Sequence, residues 1–217
     1  MARWQPNASQ RLVLAALDLF AEQGYENTTV IEIAERAGLT KSTFFRHFPD
    51  KREVLFGGEN AMSALLSEAI AAAPATAPPL EAVAHALDAV GWEAFTPARR
   101  ELSAHRRAVI AANPELQERE ALKGLGLTAS MTDALTQRGV PDMTACVAAQ
   151  LGALALKIAY DRWIDATNDE TFGTIARQTL NELHAASARE RGCSNTWSQR
   201  REDALAPRDS EARSDGI

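Results

Sequence analysis

Apolar residues recur every three to four positions through most of this chain, and the interruptions fall at capping or helix-breaking residues. Leu12, Ala15, Ala16, Leu19 and Phe20 form one stripe within 7–24, which Gly24 closes. Val30, Ile33, Ala34 and Ala37 form the next. Thr29 opens it with Glu32 at capping-box spacing, and Gly38 supplies the residue that can take positive φ at its end. Thr40 stands where a third helix needs its N-cap, and Phe44 and Phe48 lie one turn apart on the side facing back. Asp50, with Glu53 three residues on, predicts a helix over 51–72 carrying Val54, Leu55, Met62, Leu65, Leu66 and Ile70. At 1.5 Å per residue it would run about 30 Å, enough to connect two domains.

The run APATAPP at 73–79 breaks that pattern. Beyond it, proline and glycine punctuation divides the chain into helices over 80–95, 97–112, 114–139, 142–165 and 169–188. No window alternates apolar and polar residues with β-branched enrichment, so the fold class is all-α. The layout is a three-helix helix-turn-helix domain over 1–56 with a connecting helix 51–72, then a helical domain over 73–188. The tail 189–217 holds arginines, acids and turn formers with no Val or Phe, and is expected to be mostly disordered, with Trp197 as the one residue able to dock.

A helix, a tight turn and a second helix over 29–51 is the unit that lays a helix in a DNA groove. With Phe44 and Phe48 facing inward, Lys41, Ser42, Thr43, Phe45, Arg46 and His47 remain on or near the outer face. The chain carries a net charge of -6, which argues against a nonspecific nucleic-acid coat. Locally the balance reverses: Arg36, Lys41, Arg46, Lys51 and Arg52 face only Asp50.

The string Gly24-Tyr25, Thr28-Thr29, Ile33-Ala34, Ala37-Gly38 and Lys41 through Phe48, closed by Lys51, resembles the N-terminal DNA-binding domain of the TetR family of bacterial repressors. The resemblance covers roughly residues 9–56 and beyond that is one of helical layout. It implies that Thr29 and Lys51 hold phosphates while Lys41, Ser42, Thr43 and Arg46 sit at or near base edges. With Thr40, Phe45 and His47 these make up the expected DNA-facing set. The family usually has Tyr where Phe45 stands and often where His47 stands. Phe45 therefore lacks a common phosphate hydrogen bond and is left with apolar contact.

The segment 142–165 is apolar almost all round, with Ala148, Ala149, Gly152, Ala153 and Ala155 as small residues. Such a helix needs neighbours on every side. The stripe Phe172, Ile175, Ala176, Thr179, Leu180 and Leu183 follows in 169–188. Two such helices from each of two chains make a four-helix bundle, the usual dimer interface of the family. Trp92, Phe95, Met131, Tyr160 and Trp163 are candidates to line a small-molecule pocket, with Asp88 and His105 as inward-facing polar groups. The implied partners are a double-stranded DNA operator, a second copy of the chain and an unidentified small-molecule effector, apolar or amphipathic.

Other classes find little to rest on. There is no GxSxG, phosphate-binding glycine loop, HExxH or Cys/His ligand spacing, so no enzyme, cofactor or metal site is expected. Nor is there an internal repeat. Cys146 and Cys193 lack CxxC spacing and suggest a reducing compartment. The N-terminus has no apolar run of signal-peptide length, and the stretch Ala145 to Tyr160 is too short to span a bilayer. A cytoplasmic repressor released by its effector is the expected function. The alternatives are an architectural DNA protein, or a dimeric regulator with no ligand.

Overall fold

The computed structural model describes residues 7–165 and 167–205, with side chains as far as 188 except that of Glu59. The helices are α1 (Ala8–Gln23), α2 (Val30–Arg36), α3 (Lys41–His47), α4 (Glu59–Ala72), α5 (Pro79–Glu93), α6 (Arg100–Ala112), α7 (Pro114–Gln137), α8 (Asp142–Trp163) and α9 (Phe172–Leu205), with 3-10 turns at Arg52–Leu55 and Pro97–Arg99. Among the described residues there is no strand. The chain divides into two compact units, Met1–Leu180 and Asn181–Ile217. α9 runs past the expected stop near 188 to Leu205. Residues 206–217 and the side chain of Trp197 lie outside the described residues.

The first three helices close around Leu12, Phe20, Ile33 and Phe44, all buried. Their ends are fixed by the expected local chemistry. Asn7 caps α1 by accepting from the Gln10 amide, and Thr29 and Glu32 make both halves of the capping box on α2. The α2–α3 turn is possible because Gly38 takes φ 64, a region that costs other residues a steric clash. Arg11 reaches across from α1 to donate to the carbonyls of Ala37 and Gly38, bracing the same turn.

The helix expected over 51–72 is broken. Asp50 accepts from the Glu53 amide at 3.0 Å as foreseen, but only the 3-10 turn Arg52–Leu55 follows before α4 starts after Gly58. Two consecutive glycines explain this, since each disfavours helix by about 1 kcal/mol. Gly57 also lies so close to the Phe48 ring that a Cβ there would come within 2.5 Å of it.

The core beyond the head is built on α4, α5, α7 and α8, which pack against one another. Leu66, Ile70, Val83, Leu87, Val90, Met131, Leu135, Ala149 and Ala155 fill it. α8 approaches α5 closely because Gly152 has no side chain, and a Cβ there would lie 2.5 Å from Val83. Within the single chain α8 buries one face, Ala145, Ala148, Ala149, Gly152, Ala155, Ala159 and Trp163. Met143, Val147 and Leu154 on the other face are 76%, 51% and 44% exposed. At 22 residues α8 is also long and apolar enough to cross a membrane by length and composition, unlike the shorter stretch read from the sequence. Its small-residue face packs against α5 and α7.

The head and the α6–α7 corner share one apolar cluster, in which Ile110 and Leu116 pack with Leu12, Phe44 and Phe56. Polar contacts reinforce it. Arg106 donates to the Leu55 carbonyl at 2.8 Å and lies over the Phe56 ring, and Glu53 holds Arg119 at 2.6 Å. At the opposite end of α4, Arg138 donates to the carbonyls of Ile70, Ala73 and Pro74 at 3.0, 2.8 and 2.7 Å. These are groups a helix C-terminus leaves unpaired, and a cation there also meets the negative end of the helix dipole. Arg138→Met keeps the apolar stem and removes the donors. It is expected to lower unfolding free energy by about 1–2 kcal/mol in urea denaturation.

Candidate nucleic-acid interface

Thr40 accepts from the Thr43 amide at 3.1 Å, which starts α3 at Lys41. Phe44 is buried one turn later, and Phe48 closes the same face. The side of α3 opposite this pair is therefore fixed in direction. Lys41, Ser42, Phe45, Arg46 and His47 are exposed there. Lys41, Ser42, Arg46 and His47 have no hydrogen-bond partner among the described residues. Two cations, a histidine and a hydroxyl thus present donors outward, which is what phosphate oxygens and guanine or adenine edges require.

Four members of the expected set, Thr29, Thr40, Thr43 and Lys51, are engaged inside the chain. The Thr43 hydroxyl pairs with that of Thr40 at 3.0 Å, so these two side chains cap the helix. Lys51 donates to the Tyr25 carbonyl at 2.7 Å and stands 4.0 Å over the Tyr25 ring. A lysine ammonium has three donors, so this bond leaves others for a phosphate. The Lys51–Tyr25 contact joins residues 26 apart in sequence, and no local pattern announces it. Burial, then the neighbouring Glu115 carboxylate, raise the Tyr25 hydroxyl above its ordinary pKa, so it stays protonated under this lysine. Thr29 is exposed at the start of α2, but its hydroxyl donates to Glu32 at 2.7 Å within the capping box. Asp50 is raised by burial, but hydrogen bonds from Arg52 and the Glu53 amide outweigh that and leave it below its usual value. Its charge offsets Arg52 at the edge of the basic segment.

The predicted pocket residues separate into three groups. Phe95, Tyr160 and Trp163 come together and are joined by Phe172, with the Phe95 ring 5.2, 5.5 and 4.4 Å from the other three. The Arg100 guanidinium lies over Trp163, and the Tyr160 hydroxyl donates to the Ser103 carbonyl at 2.9 Å. Met131 is buried in the α5–α7–α8 core beside Gly152. The remaining three are placed elsewhere. Trp92 is 81% exposed on α5 and lines nothing. His105 is exposed, because α6 turns Leu102, Arg106, Val109 and Ile110 inward rather than the stripe through His105. Asp88 is half-buried but ion-paired with Arg177 at 2.5 Å, and Arg177 also holds Glu81.

A shallow concavity of about 420 Å³ opens after α8, lined by Arg162, Asp165, Thr167, Asn168, Asp169 and Glu170. None of the predicted pocket residues belongs to it. The α9 stripe expected at a dimer interface is also redirected. Phe172, Ile175, Ala176, Thr179 and Leu180 are buried within the chain itself, with Thr179 accepting from Arg162 at 3.0 Å.

Residues 12–56 match the family model for bacterial regulatory proteins of the tetR family. The regulator TcmR of Streptomyces glaucescens is 42% identical over 80 residues, which is 37% of this chain and 35% of TcmR. The matched segment thus spans about a third of that relative. Among solved structures, the chain is similar to NalD of Pseudomonas aeruginosa, the secondary repressor of the MexAB-OprM multidrug efflux pump, at TM-score 0.55 and 19% identity over 82% of this chain and 95% of NalD. It is also similar to FadR of Thermus thermophilus, a repressor in complex with lauroyl-CoA, at TM-score 0.51 and 19% identity over 95% of this chain and all of FadR. At those identities the structures speak for the fold, an N-terminal helix-turn-helix domain followed by a helical domain. The named relatives are transcriptional regulators or repressors. The outward donors of α3, the capped helix-turn-helix and the family match together identify residues 12–56 as a helix-turn-helix domain of the kind found in bacterial regulatory proteins of the tetR family.

Proposed function

We propose that the protein is a cytoplasmic repressor that binds a pseudo-palindromic DNA operator as a dimer and is released by a small apolar or amphipathic molecule. The observation that carries the DNA part is the outer face of α3, where exposed donors stand on a helix locked by Phe44 and Phe48. The exposed Met143, Val147 and Leu154 on one face of α8 support self-association, since apolar side chains lined along one side of a helix are costly to leave in water. Two heads related by a two-fold axis require half-sites about one helical turn, or a small multiple, apart.

Release would act through the aromatic cluster of Phe95, Tyr160, Trp163 and Phe172. These rings are in mutual contact, so a ligand has to part them. An apolar or amphipathic molecule is favoured because the cluster offers ring faces and few polar groups. A tenfold loss of operator affinity needs only about 1.4 kcal/mol of coupling between the two sites.

Lys51→Met supplies the test of the DNA-facing set. With phosphate contact by the free donors of Lys51, the variant binds every sequence more weakly and the slope of log affinity against log salt falls by about one unit for each lysine lost. Footprinting on an operator obtained by binding-site selection checks the symmetry. A single asymmetric half-site bound by a monomer, or an unchanged salt slope, contradicts the reading.

A further inference from the structure

Phe45 is the one side chain on the outer face of α3 that offers no hydrogen bond, and it is 47% exposed. Its ring is held in place. The edge of Phe44 meets it at 5.6 Å with the planes 80° apart, and the Lys41 ammonium stands 5.9 Å over it. A large apolar ring kept in water on a surface otherwise made of donors is unfavourable in the free protein, and gains if the partner covers it with an apolar group. Phosphates offer none. In the major groove the apolar group on a base edge is the C5-methyl of thymine, which phenylalanine side chains contact.

We infer that Phe45 is a specificity-determining residue that reads a thymine methyl in each half-site, so that the operator carries a T·A pair at a fixed place set by α3. The reading rests on α3 being the DNA-facing helix. It differs from a phosphate contact in that it distinguishes base pairs.

The test uses the full chain and a duplex operator taken from binding-site selection, with each thymine in turn replaced by deoxyuridine in both half-sites. Deoxyuridine removes the methyl and leaves pairing intact. Burying one methyl predicts a loss of about fourfold per half-site, or about fifteenfold for the symmetric pair, at one thymine position. Phe45→Ala abolishes that difference, binding the thymine and deoxyuridine duplexes equally. Phe45→Leu, which retains an apolar contact, keeps part of it. The inference is overturned if no deoxyuridine position weakens the wild-type protein, or if the penalty survives unchanged in Phe45→Ala. A wild-type protein that selects no sequence at all instead removes the operator reading itself, and this inference with it.

Discussion

Trp163→Ala is expected to lower the unfolding free energy by about 3–5 kcal/mol, the range for truncating a large aromatic in a core. Trp163 is fully buried and its ring meets Phe95, Phe172 and Tyr160, with the Arg100 guanidinium over it. Removing the indole leaves three aromatic rings without their common neighbour, and Arg100 loses the surface it lies on. For a chain of this length the melting temperature should drop by on the order of 10 °C. Trp163 is not part of the apolar cluster that supports the head. Operator binding measured well below the melting transition should therefore be preserved while any effector response disappears. A fall in stability below about 1 kcal/mol would mean the cluster repacks freely.

Leu154→Asp carries the largest expected effect on DNA binding. Leu154 is 44% exposed in the single chain, so the substitution should change the stability of an isolated subunit by no more than about 0.5 kcal/mol. At an interface between two copies of α8 it buries a carboxylate against Met143 and Val147, which is costly without a partner. Sedimentation should then show a monomer, and operator affinity should fall at least about a hundredfold, because the two heads no longer bind as a linked pair. A variant that remains dimeric with unchanged affinity places the interface elsewhere.

The head is the part of the fold that sequence reads well, and the reason is range. Thr29 with Glu32, Thr40 with Thr43, and Gly38 after Ala37 each act within a few residues. The same holds for the outward face of α3, which follows once Phe44 and Phe48 are placed inside. What the sequence hides is what distant segments do to one another. Lys51 finds the Tyr25 carbonyl, Arg177 finds Asp88 from 89 residues away, and Arg106 reaches Leu55. His105 shows how this misleads a periodic reading. Leu102 and Val109 fit two stripes, one through His105 and one through Arg106. The Arg106 guanidinium, lying over the Phe56 ring and donating to the Leu55 carbonyl, is what settles the choice. Gly57 and Gly58 break the continuous helix that the Asp50 capping signal and the apolar residues on either side predict.

Arg138 gives α4 a fixed far end, while its near end begins at Gly58 with no side-chain cap. If the helix tilts about that pinned end, the displacement grows with distance from it. Over the 14 residues of α4, about 21 Å, a swing of about 5° displaces the unpinned end by about 2 Å. That is more than half a base-pair step, at the side of α4 that leads to the helix-turn-helix, from a tilt too small to disturb the packing around the pivot.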